Sequence, residues 1–488
     1  MPFDLLVVGG GIQGAAVARD AALRGLRVLL LERGDLASGT SSRSSKLIHG
    51  GIRYLETGQF GLVREALRER ATLLRLAPEF VRPLPFLIPH YRGEGRPRFA
   101  VRAGLEIYAL FAGHHPLAEH RAMDAAEALA LEPELRPEGL MGASLYWDAQ
   151  MDDALLCVAV ALDADRAGAS LRTYSEVVGI AASGSAWRVR YRDVETGEEG
   201  TEEARCVVNA AGPWAEEVRA MAGASRRAGL RRTRGTHVVL PGQTRGRALL
   251  LTARRDGRVF FVLPWGDYSL VGTTDVDDDT PPERIAPSAA DIRYLLEEAA
   301  RALRGTAARP LRAFAGLRSL AQGSAIRPWA NSREHRILQE GTMLTLIGGK
   351  YTTHRSLAER VVDRVTRLAG TRAGSCTTAG SALPGRAIGI EKLKARFQAT
   401  ARLEGSLEIS EAEVAYAVLH ERARHVEDVL QRRTRLWLSA DAMRRAAGQV
   451  AAWMAPHMAW DDAARTRETE RVEKSLDREA EIINEALA

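Results

Sequence analysis

Gly9, Gly11 and Gly14 stand at G-x-G-x-x-G spacing, directly after an unbroken apolar run (residues 5–8) and before a helix-like stretch (15–24). A second strand-like run, residues 27–31 and apolar after Arg27, ends on Glu32. The first glycine permits a tight turn, the second lets a pyrophosphate approach the backbone, and the third lets helix and strand pack closely. Glu32 can accept hydrogen bonds from the ribose hydroxyls of an adenosine and would repel a 2′-phosphate. A glycine fingerprint alone also fits a tight turn in another kind of α/β domain. Strand, turn, helix, strand and acid in that order point to dinucleotide binding. The motif begins three residues into the chain, a placement commoner in flavin enzymes than in nicotinamide enzymes, so FAD is expected rather than NAD.

Three more groups of residues could do chemistry. Residues 33–55 are rich in hydroxyls and carry His49-Gly50-Gly51-Ile52-Arg53-Tyr54. Such a segment is not core; its amides and hydroxyls suit phosphate oxygens and its glycines let the backbone pass close to a flat ring. The apolar strand 342–347 runs into Gly348-Gly349-Lys350-Tyr351-Thr352-Thr353-His354 and then a helix, a junction where amides and an ammonium can face an anion. His237, in Gly235-Thr236-His237, sits between strands as a candidate base or hydroxyl partner, with His49 second. Nearly all cations are arginine, so Lys46 and Lys350, both inside such motifs, stand out.

The elements that must position these groups follow from periodicity and breakers. Helices are expected at 62–76, 98–113, from about 154 to 168, 289–303 and from about 354 to 368. Prolines at 78, 83, 85 and 89 force extended or turned backbone. Strands are expected at 172–182, 187–192, 203–208, 235–240, 259–263, 269–273, 312–320 and 342–347. The fold class is therefore α/β, with a Rossmann-like FAD-binding domain, a mixed-sheet substrate domain and a C-terminal all-helical domain. The first two interleave over residues 1–380: FAD binding at about 1–80, 145–230 and 310–380, substrate at about 81–144 and 231–309. Residues 384–390 read as a linker, and 391–488 as a separate helical domain.

With 488 residues the chain can bury the core of two or three domains. No apolar run is long enough to span a bilayer, and with the first strand starting at once no signal peptide is expected. Cys157, Cys206 and Cys376 lie far apart in no metal-like spacing; reduced cysteines, a cytoplasmic setting and no metal site are expected. The net charge of +6 suits an anionic substrate or an acidic membrane surface. No nucleic-acid motif accompanies it. Arginines and Trp437, Trp453 and Trp460 of the helical region are candidates to seat one face at lipid headgroups.

Together these motifs resemble the FAD-dependent glycerol-3-phosphate dehydrogenases and their oxidase relatives over nearly the whole chain. The resemblance rests on Gly9 to Gly14 with Glu32, on residues 39–55, and on Asp148-Ala149-Gln150-Met151-Asp152-Asp153-Ala154. It extends through Asn209-Ala210-Ala211-Gly212-Pro213-Trp214, Gly316-Leu317-Arg318, Ser332-Arg333-Glu334-His335 and Gly348 to Thr353, with 420–435 in the helical region. Ser319 departs from the family's proline and His354 from its tyrosine.

The resemblance implies hydride transfer from C2 of sn-glycerol 3-phosphate to flavin N5, giving dihydroxyacetone phosphate, with a quinone or oxygen as acceptor. It implies cofactor contacts from Gly9, Gly11, Ile12, Gln13, Gly14, Glu32 and Arg33, and from Thr40, Ser41, Ser42, Ser45, Lys46, Leu47, His49, Gly50 and Gly51. Val177, Val178, Ala210, Ala211, Gly212, Trp214, Gly316, Arg318, Gly349, Lys350, Tyr351, Thr352 and Thr353 complete that set. Substrate contacts fall to Arg53, Tyr54, His237, Arg318, Arg333 and Lys350, and catalysis to His237, Arg318 and His49. The expected location is cytoplasmic, with peripheral attachment to the inner face of the cytoplasmic membrane and a homodimer as further candidates. An amine or hydroxy-acid oxidase of the same fold would need one arginine for a carboxylate, not a cluster for a phosphate. A binding protein for FAD or tRNA would need no redox chemistry.

Overall fold

In the computed structural model, which describes all residues except 114–116, 225–228, 305–307, 322–334, 398–401 and 404–406, the N-terminal apolar run is the strand Phe3–Val8. It pairs in parallel with Val28–Leu31 on one side and Glu199–Asn209 on the other. Both faces are covered, which explains why Leu5, Leu6, Val28, Leu29 and Val207 are all apolar and buried. Met343–Ile347 adds a further parallel strand beside Glu199–Asn209. The register aligns Val8 with Leu31 and with Asn209, and Asn209 with Thr345. The four strands therefore end at one edge, and the segments after them emerge there together. A hairpin, Ser175–Ser183 with Ala186–Asp193, extends the sheet through Glu199–Asn209.

The second sheet has ten strands. Val81–Tyr91 belongs to it despite Pro83, Pro85 and Pro89. These share parity, so the missing N–H groups fall along one edge of the strand. Leu230–Pro241 pairs with Tyr268–Gly272 on one side and with Arg312–Ala321 along its length on the other. Leu140–Met151 and Arg312–Ala321 thus lie in this sheet, although the boundaries expected at 145 and 310 put most of both with the first. Pattern alone does not say which sheet a strand joins, because only its long-range partner decides that.

The expected linker at 384–390 is partly helix, since Ala387–Phe397 begins inside it. The four helices that follow, Glu411–Glu421, Val426–Arg432, Ala440–Met458 and Asp462–Leu487, share a core of their own yet are not detached. Ile483 and Ala486 pack into the core of the second sheet, and Glu479 accepts from the Arg312 guanidinium (2.8 Å) and from the Ala313 amide (2.6 Å). Asp35, in the turn after Glu32, is clasped by Arg432 (2.5 Å) and Arg433 (2.6 Å), and Asp428 binds Arg432 and the Tyr174 hydroxyl. All these groups are buried. Burial works against the two guanidinium charges, but Asp35 beside them holds both above the ordinary arginine range. Trp437 and Trp453 are core residues, 7% and 8% exposed, which corrects the expectation that they seat a membrane face; Trp437 packs on Trp265 and Phe314 of the second sheet, and Trp453 lies in the core of the helices.

His425 links this region to the hairpin turn, with Nε2 3.0 Å from Glu195 and Nδ1 2.9 Å from Glu468. Burial opposes its charge, but Glu468 and Asp428 outweigh burial and Arg471, and the imidazole titrates above its usual value. A raised folded value means that the stabilisation is complete below the unfolded value, about 6.5, and fades as pH rises through the folded one. The melting-temperature gap between the native chain and His425→Gln should accordingly be largest near pH 6 and close towards pH 9. A constant gap would mean that the histidine acts by packing alone.

Candidate active site

The aligned ends of the four parallel strands face the second sheet across a cavity of about 760 Å3. At its nucleotide end Gly9 is left-handed (φ +107°), and its amide donates to Leu31 at 2.8 Å. A Cβ on Gly14 would stand 1.9 Å from the Gly9 carbonyl oxygen, so helix and turn can touch only through hydrogen. Glu32 accepts from the amides of Gly10 (2.5 Å) and Gly34 (2.8 Å), which fixes its carboxylate at the cavity wall. Burial, the largest influence, pushes its titration up, and the two amides oppose that. The Ser41 hydroxyl accepts from the Ile12 amide at 2.9 Å, and Arg33 lies over the Trp214 ring at 4.6 Å. Gln13 donates to the Gly348 carbonyl at 2.6 Å, tying the first glycine turn to the last.

The opposite wall is built by strand register. Thr233, Gly235 and His237 share one face of Leu230–Pro241 and lie opposite Arg318, Gly316 and Phe314. Arg318 lies across Gly235: a Cβ there would be 2.2 Å from its Nη2. Its fork is held by Thr273 Oγ1 (2.7 Å), the Thr274 carbonyl and Asp275 Oδ1 (both 3.1 Å). Gly316 makes a second seat, where a Cβ would meet Arg43 at 3.0 Å. His237 stacks on Phe314 (centroids 5.2 Å apart) and its Nε2 is 2.9 Å from Ser45 Oγ. Burial first, then the charges of Arg318 and Lys46, hold its pKa well below 6.5, so the imidazole is neutral.

Most of the residues expected at the site meet here. Gly9, Gly11, Ile12, Gln13, Glu32, Arg33, Thr40, Ser41, Ser45, Leu47, His49, Gly51, Arg53, Tyr54, Val177, Ala210, Ala211, Gly212 and Trp214 line the cavity. So do His237, Gly316, Arg318, Gly349, Lys350, Tyr351 and Thr352. Gly14, Ser42, Gly50, Val178 and Thr353 are not among its lining residues, and Arg333 lies outside the described residues.

Lys46 is a correction. Its backbone is left-handed (φ +54°) and its buried ammonium pairs with Asp153, 4.3 Å from the Trp437 ring centre, so it does not line the cavity. Lys350 does not open the helix, which starts at His354 after Gly348 (φ +73°), Gly349 (φ +89°) and a turn. The Lys350 ammonium instead stands 3.5 Å from the centre of the Tyr54 ring. His354 is buried, with Nδ1 2.7 Å from the Tyr351 carbonyl, and burial brings its pKa down to about 4.

Sequence reasoning assigned no role to Arg43, Asp148, Thr273 or Asp275, all of which line the cavity. Arg43 and Asp148 stood in motifs already marked, so position could have found them. Asp148 binds Arg70 (2.7 Å) and Tyr108 (2.8 Å), and the Tyr108 hydroxyl meets the Gly50 amide, bracing the His49–Tyr54 segment from below. Nothing local marked Thr273 and Asp275, which matter only because Arg318 reaches them.

Residues 4–343 match the family model described as FAD dependent oxidoreductase, and residues 343–465 that of the C-terminal domain of alpha-glycerophosphate oxidase. The chain is 34% identical to the mitochondrial glycerol-3-phosphate dehydrogenase of Macaca fascicularis, over 97% of this chain and 73% of the relative. It is 36% identical to the D-erythritol 1-phosphate dehydrogenase of Brucella abortus, over 91% and 96% respectively. The structure of glycerol-3-phosphate dehydrogenase from Bacillus halodurans, complexed with FAD, superposes with a TM-score of 0.75 at 26% identity, covering 97% of this chain and 94% of that one.

FAD is thus the cofactor, and the glycine-rich Gly9–Gly14 turn with the fixed Glu32 carboxylate at the cavity wall fits its pyrophosphate and adenosine. Glu32→Gln replaces one acceptor oxygen with a donor against buried amides. A charge-assisted bond of this kind contributes about 1.5–3 kcal/mol, so FAD affinity should fall at least about tenfold. Fluorimetric reconstitution of the apoprotein checks this; unchanged affinity would make Glu32 a turn-holding residue only.

Proposed function

The chain belongs to the FAD-dependent glycerol-3-phosphate dehydrogenase family, and we propose on that premise that it oxidises sn-glycerol 3-phosphate to dihydroxyacetone phosphate and passes the electrons to a membrane quinone. The observation that carries the substrate reading is the Arg318 guanidinium, laid on Gly235 and held by Thr273 and Asp275 at the cavity wall. A planar fork fixed from behind suits a phosphate, which it can meet at two points. FAD, when bound, supplies the hydride acceptor.

The chain's own groups have separate tasks. Arg318 and Arg53 bind and orient the anion, and Lys350, beside Tyr54, adds a cation at the same cavity. His237 is neutral and within hydrogen-bond reach of Ser45, so it can take the proton that leaves the C2 hydroxyl. Its free-state basicity is low partly because Arg318 repels a second positive charge. A phosphate dianion at Arg318 offsets that repulsion and makes His237 a better base once substrate is in place.

The acceptor reading is supported by a second, largely apolar cavity of about 460 Å3, which shares Ile52, Arg53, Leu250 and Val259 with the first. An apolar quinone ring suits such a space. The location proposed with this acceptor is cytoplasmic, attached peripherally to the inner membrane face; among the described residues no helix is long and apolar enough to cross a membrane. Oxygen as acceptor is the second reading, favoured by the oxidase-type model at residues 343–465.

Anaerobic addition of sn-glycerol 3-phosphate should bleach the flavin, and a quinone analogue should restore the colour faster than air does. Faster recovery in air would make the enzyme an oxidase; no bleaching would overturn the substrate reading. Arg318→Lys keeps a charge but loses the fork, so kcat/KM should drop at least about tenfold with bound flavin unchanged. Gly235→Ala should do the same while leaving Arg318 intact, since the added Cβ must displace the guanidinium. Slow oxidation of glycerol, which lacks the phosphate, should change much less. Equal losses on both substrates would mean that the cradle supports the fold instead.

A further inference from the structure

Most large apolar side chains exposed on this molecule are scattered singly, among them Val194, Met221, Ile388 and Leu419. One group is not. Phe99 (77% exposed), Ile107 and Leu110 (74%) lie on the outer side of the helix Arg98–Ala112, whose inner side buries Val101, Leu105 and Tyr108. Phe99, Ala103 and Leu110 recur at helical spacing with Glu106 among them and Ile107 beside them, and the face from Phe99 to Leu110 runs about 16 Å. Phe60, also exposed, continues the patch at one end through Phe111, their rings 5.9 Å apart. Met141 continues it at the other, its carbonyl accepting from Arg98 at 3.4 Å.

This helix is therefore apolar on two sides, one of which faces no other part of the described chain. Its charges point to what covers that side. Arg64, whose guanidinium lies 5.1 Å from the Phe111 ring, Arg98 and Arg102 flank the patch, and Glu106 on the face is countered by Arg102 at 4.0 Å. Apolar side chains ringed by arginine match an anionic bilayer, with an acyl layer beneath headgroup phosphates. A second copy matches poorly, because a two-fold contact would bring the same arginines together. Beneath the same helix, Ala100, Val101 and Gly104 wall the second cavity, which adjoins the catalytic one.

We propose that the outer face of Arg98–Ala112 is the surface on which the enzyme sits on an anionic membrane, with Phe99, Ile107 and Leu110 entering the acyl boundary. The inference rests on the reading of a membrane acceptor and adds the face and the orientation. In that orientation the second cavity lies directly over the lipid, so an apolar acceptor reaches it without crossing water.

The test is co-sedimentation of the FAD-loaded enzyme with vesicles of phosphatidylcholine alone or mixed with phosphatidylglycerol. The native enzyme should pellet with the mixed vesicles and less so as salt rises. Phe99→Ser combined with Leu110→Ser should bind at least about tenfold more weakly. Ile388→Ser, which alters an exposed apolar residue on another helix, should bind like the native enzyme. All three should oxidise sn-glycerol 3-phosphate equally with a soluble dye. Equal pelleting of native enzyme and double variant would overturn the proposal, as would an equal loss in Ile388→Ser. Unchanged vesicle binding with a smaller oligomer in the double variant would assign the face to contacts between copies instead. Dye-linked turnover and quinone reoxidation are scored apart from pelleting, so failure of the acceptor reading and failure of this one are distinguishable.

Discussion

Everything at the active site depends on the register of four parallel strands. Val8, Leu31, Asn209 and Thr345 stand level across the first sheet, so the glycine turn, Glu32, the Ala210–Trp214 turn and the Gly348–Thr353 segment leave it at one edge. The helix Ile12–Leu23 starts at this edge, so its N-terminus faces the crevice. Anions and carbonyl edges of a cofactor are bound at such an edge because hydrogen-bond donors are already there and need no rearrangement. The contact of Gly14 with the Gly9 carbonyl leaves no room for a Cβ, so the helix after the turn can take only one position on the sheet.

Around that edge stand cations, each with its own restraint. Arg318 is held by Thr273 and Asp275, Lys46 by Asp153, and Lys350 stands over an aromatic face. A cation without such restraint would swing into solvent or lose its charge on burial. These restraints also divide the labour. Lys46, paired with Asp153, braces the loop, while Arg318, paired with Asp275, lines the cavity wall. His237 shows the effect of their company: neighbouring positive charges and burial keep the imidazole neutral until a dianion arrives.

The helical region serves the same site from outside. Asp35 follows Glu32 by three positions and is gripped by two arginines from helices some four hundred residues later in the chain. Removing the carboxylate would strip buried Arg433 of its carboxylate partner and leave Arg432 with Asp428 alone, which is far more costly than losing a surface ion pair. Glu479 does likewise for the start of the Arg312–Ala321 strand, the one that carries Arg318. Both walls of the cavity are thus tied to the C-terminal helices.

Much of this was legible in the residues. The glycine fingerprint, Glu32, the hydroxyl-rich loop, His237 and the late glycine pair are local patterns, and local patterns report backbone conformation and donor chemistry directly. They were enough to identify the fold class and the cofactor, and most of the residues marked for the site do line the cavity. What the chain order could not convey is which side chain pairs with which. Lys46 and Lys350 look alike in sequence, yet one is buried on Asp153 and the other faces the cavity. Arg312–Ala321 joins the second sheet only because Leu230–Pro241 offers it an edge, and Asp275 matters only because Arg318 arrives there. The tryptophans of the helical region became core, and the exposed apolar face formed on another helix altogether. Periodicity depends on neighbours along the chain, so sequence determined the elements and their chemistry. Charge pairing and burial depend on distances across space, and those were decided by the tertiary structure alone.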